Sequence, residues 1–227
     1  MEPCTHFRRL SHLLSPISVV TDPMSGNLFI VSAPSGAGKT TLASGLVAAD
    51  PLIRKSVSYT TRKPRLGEEN GRDYHFVDMD EFERMRVRGE FMETARVHDN
   101  HYDTSRRTVE KETAGGFDVL LEIDWQGAAQ IRSLKPDAVA VFVLPPSIEA
   151  LEKRLRGRAQ DPPEVIARRV AAARGEISHV GEFDYVIIND EFNRAAQDLI
   201  SIIRAERLRL PRQLSRHTDL INKLKDQ

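Results

Sequence analysis

The chain predicts an α/β fold, a parallel sheet covered by helices on both faces with a P-loop, the phosphate-binding loop of NTPase-type sheets, after its first strand. Three observations carry that expectation. Short apolar runs at 28–32, 117–123, 138–144 and 184–188 are separated by segments of helical pattern. Runs of that length between helices belong to strands buried on both faces. Residues Ala33-Pro34-Ser35-Gly36-Ala37-Gly38-Lys39-Thr40 follow the first run and open a helix, close to the pattern G-x-x-x-x-G-K-[ST]. A polar, turn-rich stretch over 58–105 then interrupts the alternation and reads as an insertion.

The elements follow in order. After strand 28–32, helix 39–49 ends near Asp50-Pro51, because proline cannot continue a helix. A short strand is expected at 56–59, then a charged, turn-forming loop over 60–75. Helix 80–88 takes Asp80 as its cap and Gly89 as its stop. A strand follows at 90–97, then helix 106–114, closed by Gly115-Gly116. Strand 117–123 leads into Asp124-Trp125-Gln126-Gly127, with Trp125 expected to pack near the site. Strand 138–144 stops at Pro145-Pro146, and the next helix has Ser147 as cap and Glu149 in its first turn. The segment 154–174 carries many arginines around Asp161-Pro162-Pro163 and fits a hinged lid. After strand 184–188, a helix over 192–210 is expected to run up to Pro211. The basic tail 204–225 reads as a solvated, partly helical face.

Composition narrows the function. The 33 basic and 33 acidic side chains of the 227 residues cancel, so nothing favours nucleic acid or other polyanions. Cys4 is the single cysteine, which rules out a disulfide framework and a thiolate zinc site. No apolar stretch approaches the roughly 20 residues that span a bilayer. A cytoplasmic protein without a membrane partner is expected. In the first 23 residues, Arg8-Arg9 precedes an apolar run broken by Ser15, Pro16 and Ser18, with no small-residue cleavage site, so a dispensable leader is expected.

The loop 33–40 implies a nucleoside triphosphate. Gly36 and Gly38 let backbone N–H groups turn toward one concavity, and the start of the following helix adds partial positive charge there. Lys39 reaches the β- and γ-phosphates, and the Thr40 hydroxyl is a ligand for Mg²⁺. Ala33 stands where the pattern has its first glycine. In the insertion, Arg62 and Arg65 lie three apart beside Pro64, on a loop. Their planar forks match phosphate oxygens, and with a tyrosine hydroxyl they suit one phosphate dianion; a solvated basic loop balanced by Glu68 and Glu69 is the alternative. His98 and His101 lack a carboxylate or cysteine frame and read as exposed loop residues.

From about 26 to 210 the sequence resembles guanylate kinases. The resemblance rests on Ser58-x-Thr60-Thr61-Arg62-x-Pro64-Arg65-x-Gly67-Glu68-x-Asn70-Gly71-x-Asp73-Tyr74-x-Phe76-Val77, on Glu90-Phe91-Met92-Glu93 and on Leu121-Glu122-Ile123-Asp124-Trp125-Gln126-Gly127. Pro145-Pro146-Ser147, Arg154-Leu155-Arg156-Gly157-Arg158 and Ile187-Ile188-Asn189-Asp190 extend it. It implies transfer of the ATP γ-phosphoryl to GMP with Mg²⁺, by a monomer or small homo-oligomer. By position, Arg62, Arg65, Tyr74 and Tyr102 would hold the GMP phosphate, while Ser58, Glu93, Thr104 and Asp124 would meet guanine. Arg158 and Arg169 would come from the lid, and Asn189 would lie near adenine. The catalytic set so implied is Lys39, Arg62, Arg158 and Arg169. Asp103 departs from the glycine usual in the family, adding a side chain and a charge near the phosphate site; aspartate accepts a left-handed backbone better than most residues.

The division that follows is a leader at 1–23, a core at 24–57, 117–153 and 178–210, a GMP-binding region at 58–116, a lid at 154–177 and a tail at 211–227. Guanine presents N1–H and an exocyclic amine as adjacent donors, which a carboxylate at Glu93 accepts together. Asp124 is open between base contact and contact with a Mg²⁺-bound water. A kinase for another small phosphate acceptor and a non-catalytic guanylate-kinase-like interaction domain are the alternatives; the complete Gly36, Gly38, Lys39, Thr40 set speaks against the second.

Overall fold

The structure, a computed structural model, describes residues 25–65, 67–97, 99–157 and 162–226, so the expected leader, His98, Arg158 and Asp161 lie outside the described residues. In chain order the elements begin with β1 (Leu28–Ser32), α1 (Lys39–Ala49), β2 (Ile53–Lys55), β3 (Tyr59–Thr60), β4 (His75–Phe76), α2 (Met79–Val87), β5 (Phe91–Val97), β6 (Asn100–Ser105) and α3 (Arg106–Ala114). They continue with β7 (Asp118–Glu122), α4 (Trp125–Leu134), β8 (Val139–Leu144), α5 (Ile148–Gly157), α6 (Pro163–Ile177), a 3₁₀ turn (Val180–Glu182), β9 (Tyr185–Ile188), α7 (Phe192–Arg207), α8 (Leu210–Arg216) and α9 (Thr218–Lys225).

The main sheet has the order β2-β7-β1-β8-β9, and every pairing in it is parallel. Its central strand β1 is buried throughout, because successive side chains enter two different cores. Phe29 and Val31 join Leu42, Leu46, Leu151, Leu155, Leu199 and Ile203 on the face covered by α1, α5, α6 and α7. Leu28 and Ile30 join Val109, Leu121 and Ile131 on the face covered by α3 and α4. Full burial of side chains such as Leu199 and Ile203 stabilises the fold by about 1.5–3 kcal/mol each. This is why the runs at 28–32, 117–123 and 138–144 read without alternation; β9, at the edge of the sheet, differs from expectation and leaves Val186 and Ile188 exposed.

Register places the chemistry. Val31 pairs with Glu122, and Ser32 with Phe142, so the turns that leave β1, β7 and β8 share one edge of the sheet. Asn189, just after β9, donates its N–H to Leu144 O (2.8 Å) at the same edge. Ligands of open α/β sheets bind outside this carboxyl edge.

The insertion forms a second, four-stranded sheet of order β4-β3-β6-β5. Helix α2 covers it, with Phe82 and Met85 packed on Phe91, Tyr59 and Val77. Between Phe91, opposite Ser105, and Thr94, opposite Asp103, β5 carries one more residue than β6. This bulge lets the consecutive residues Met92 and Glu93 both be buried.

Several elements differ from expectation. The strand expected at 56–59 is two strands, β2 in the main sheet and β3 in the small one, separated by a crossing segment. The cap of α2 is Asp78, whose carboxylate accepts from Glu81 N (2.8 Å), and Asp80 lies in the first turn. Strand β6 and helix α4 were not expected: β6 is rich in polar residues, and the Gly127 inside α4 lowers its helical pattern. Helix α7 ends at Arg207, and Pro211 sits in the first turn of α8, where its missing N–H costs nothing. His101 is half-buried on β6 against Phe82 (5.1 Å), because the expected loop is a strand.

Candidate active site

The loop after β1 is shaped by its glycines. Gly36 and Gly38 have φ of 97° and 98°, in the left-handed region. A Cβ on Gly38 would lie 2.3 Å from Asn189 Nδ2, so the second glycine is required by packing as well as by backbone. Gly38 caps α1 without a side-chain hydrogen bond, and the first turn of α1 contains no acid. The positive end of that helix dipole is therefore left for an anion. Ala33 is buried, and Ala37 N donates to Pro34 O (3.0 Å) to close the turn, so the alanine in the first glycine slot leaves the loop intact.

Lys39, partly buried, donates to Ile123 O (3.1 Å), which ties it to the end of β7. Burial pushes its ammonium pKa down, opposed by the carboxylates of Glu122, Asp124 and Glu176. Thr40 is exposed in the first turn of α1 beside it. Among the described residues no three His, Cys, Asp or Glu side chains form a metal-holding group. One hydroxyl at the loop fits Mg²⁺, a cation that keeps several waters and takes phosphate oxygens rather than a protein cage.

Asn189, expected near adenine, donates its buried amide to Ala37 O (2.7 Å) and so braces the loop backbone. Arg154, absent from the expected set, joins it by donating to Asn189 O (2.8 Å) and Ala37 O (3.5 Å). An arginine one turn before Gly157 was the available signal. Arg169 lies on α6, two turns before Glu176. Pro34 is buried and Ser35 half-buried in the loop wall, and the Ser35 N–H donates to the Glu176 carboxylate.

The insertion gathers a second group. Arg62 pairs bidentately with Glu68 (2.7 and 2.9 Å), and its guanidinium lies over the Tyr74 ring (5.0 Å). Tyr74 meets Tyr102 edge-on at 5.9 Å. The Glu68 hydrogen bonds hold the Arg62 pKa above its ordinary value, while Arg62 Nε is buried with no hydrogen-bond partner. Arg65 is exposed on the same loop, with its backbone N–H donated to Glu68 (2.7 Å). Glu68 thus organises both arginines, a role that its place three residues after Arg65 did not reveal.

Glu93 is the most strained charge in the site. It is 3% exposed, its Oε1 accepts from Thr104 Oγ1 (2.9 Å), and its Oε2 is buried without a partner. Desolvation raises its pKa to about 8, with the Thr104 bond opposing and Asp103 and Asp124 adding. Oε2 lies 2.9 Å from where a Cβ on Gly127 would be, so the glycine makes room for it. Asp124 caps α4: its Oδ1 accepts from Gly127 N (2.9 Å) and its Oδ2 from Gln126 Nε2 (3.2 Å). The acid before this helix is thus its N-terminal cap. Ser58 is half-buried at the start of the insertion, and its carbonyl accepts from His75 N (2.9 Å).

Asp103 lies on an extended strand rather than in a left-handed turn, since Asp99 is the only non-glycine at positive φ among the described residues. It is fully buried, accepts from Thr94 Oγ1 (3.0 Å), and has its pKa raised to about 7, chiefly by desolvation. Between 3.8 and about 7 the folded protein therefore holds a proton at Asp103 that the unfolded chain releases. Stability falls as pH rises through that window. The thermal midpoint of ligand-free protein is expected to drop on going from pH 5 to pH 8, and Asp103→Asn to flatten the lower part of that slope. Equal slopes for the variant and the parent would refute this.

A P-loop on the carboxyl edge of a parallel sheet, facing an arginine–tyrosine cluster and a buried carboxylate on an inserted sheet, defines a nucleotide phosphotransferase of two sites. The sequence matches the guanylate kinase family model over residues 25–206. It is 58% identical to the guanylate kinase of Aromatoleum aromaticum over 194 residues, 86% of this chain and 95% of that protein. It is also 58% identical to that of Methylobacillus flagellatus over 201 residues, 88% of this chain and 100% of that one. The crystal structure of guanylate kinase from Anaplasma phagocytophilum aligns with a TM-score of 0.71 at 37% identity, covering 83% of this chain and 90% of that one. The chain belongs to the guanylate kinase family. No helix among the described residues is long and apolar enough to cross a membrane.

Proposed function

We propose that this chain transfers the γ-phosphoryl group of ATP to GMP, giving ADP and GDP. The observation that carries this reading is the junction 123–127. Lys39 of the P-loop bonds to Ile123 O, and Glu93 of the inserted sheet packs on Gly127 four residues later. One short segment thus joins a triphosphate loop to a buried acceptor for paired donors.

The acceptor is already a phosphate oxygen, so the chemistry needs positioning and charge neutralisation more than a general base. In this reading the loop 33–40 and Lys39 hold the ATP phosphates, with Arg158 and Arg169 approaching from a lid at 154–177. Arg62, Arg65, Tyr74 and Tyr102 hold the GMP phosphate in line, and the orphaned Arg62 Nε–H is a donor for it. A GMP phosphate oxygen forms the new bond to Pγ as the bond to the ADP oxygen breaks. Mg²⁺ held at Thr40 and the phosphates supplies further neutralisation. Glu93 accepts from guanine N1–H and its exocyclic amine, with Thr104 keeping the carboxylate in place, and Ser58 meets the base as well. Asp124 acts here through the cap that sets Gly127.

The test is an ADP-release assay with GMP, AMP, CMP and UMP as acceptors. Turnover with GMP far above the other three is expected. Absence of turnover with GMP would overturn the assignment and favour a non-catalytic domain of the same family; preference for another acceptor would overturn the Glu93 role.

A further inference from the structure

The end of α6 is fastened to the site by a contact that the reaction described above does not use. His179, directly after the Ser178 cap of α6, stacks on Trp125 with ring centroids 3.5 Å apart and planes 7° from parallel. Its Nδ1 lies 2.6 Å from Glu182 Oε1, so the ring is held at its edge as well as its face. The same segment is tied a second time to α4, because Arg132 donates to Glu182 O (2.7 Å) and to Asp184 (3.0 Å). Trp125 and Arg132 stand two turns apart on α4, so that helix acts as a rail for the turn that follows α6.

The opposite end of α6 is different. It starts at Pro163 after a Pro162 cap that makes no side-chain hydrogen bond, and residues 162–164 are exposed. Between the two ends, Glu176 faces the P-loop through Ser35 N–H, and Arg169, seven residues earlier, lies along the same side of the helix. A shift at the last turn of α6 is therefore transmitted to both residues.

We propose that His179 is a positioning residue for phosphoryl transfer: its stack on Trp125 fixes the last turns of α6 over the loop 33–40, and with them Arg169. This rests on the kinase reading above. The imidazole touches no reacting atom; it acts through α6. Displacement of a charged group by about 1 Å costs up to roughly 100-fold in rate.

Trp125 is the sole tryptophan in the chain, so its emission reports the stack without any substrate. In His179→Ala the emission and its quenching by acrylamide should rise. Its kcat should fall roughly 10- to 100-fold while KM for GMP stays put, because the GMP group lies on the other sheet. His179→Phe, which keeps a stacking ring, should restore kcat. A His179→Ala enzyme with parental kcat, or a folded His179→Phe enzyme as slow as it, would overturn the proposal. If circular dichroism shows that His179→Ala does not fold, His179→Leu, which fills the space without a planar ring, is set against His179→Phe: a tenfold lower kcat in His179→Leu than in His179→Phe supports the stack, and equal kcat in the two refutes it. A parental protein that does not turn over GMP would count against the kinase reading alone, since the emission readout stands apart from turnover.

Discussion

Lys39→Ala is expected to lower kcat by about 10³-fold while leaving the fold and KM for GMP unchanged. Lys39 is the one cation carried by the loop itself, and its bond to Ile123 O fixes the ammonium before substrate arrives. Such preorganised charge acts on the transferring phosphoryl group with little reorganisation in the transition state. Partial burial strengthens the effect, since a charge in a poorly solvated site meets less screening. Three nearby carboxylates, Glu122, Asp124 and Glu176, oppose the lowering of its pKa by that burial. Lys39→Arg should be nearly as slow, because a planar fork does not occupy the place of a compact ammonium. Single-turnover measurement of ADP release distinguishes lost chemistry from lost binding. A variant within tenfold of the parent would remove Lys39 from the catalytic set.

Glu93→Gln is expected to abolish the preference for GMP, with a loss of about 10⁴-fold in kcat/KM for GMP. The amide presents one donor and one acceptor to a base edge that offers two donors, so one buried group on each side goes unpaired. The parental enzyme should also show a pH signature. Its Glu93 has a native pKa of about 8, raised from 4.5, so below pH 8 most of the ligand-free protein carries the neutral acid. In the proposed reading the ionised form is the one that would accept both guanine donors. Hence kcat/KM for GMP should rise between pH 6 and pH 8, with a proton released on binding. The glutamine variant cannot ionise there and should lose that rise. The same slope in both proteins would show that the titration belongs to another group.

Much of the main sheet was legible because its strands obey one simple rule. Residues 28–31 and 139–143 are buried between two cores, so they had to be continuously apolar. The loop 33–40 was legible because left-handed glycines and a lysine at fixed spacing have few other uses. The inserted sheet was harder. Strand β6 (Asn100–Ser105) buries Asp103, Thr104 and Ser105, and no hydropathy pattern marks a strand that buries polar atoms. The resemblance leaves Asp124 open between base contact and a Mg²⁺-bound water, and what no local pattern marked is that its carboxylate also closes the first turn of α4. Glu68 was legible as a charge balancing Arg62 and Arg65, and it does pair with Arg62. Arg154 and His179 were hidden for a shared reason: each acts by holding another part of the protein, and partners 117 or 54 residues away leave no trace in local spacing.

The extra residue in β5 resolves a competition for space beside Thr104. Strand pairing on either side of the bulge is regular, with Phe91 opposite Ser105 and Thr94 opposite Asp103. Removing one residue there would let the two strands pair without a break and keep the small sheet. The one residue left between Phe91 and Thr94 would stand opposite Thr104, the residue whose hydroxyl already donates to Glu93. That place has room for Met92 or for Glu93 and not for both: the extra residue lets one arm of the hairpin send a side chain into the core with Ala128 and Ile131 and set a carboxylate against Gly127 beside it, so packing and polarity do not compete for a single position.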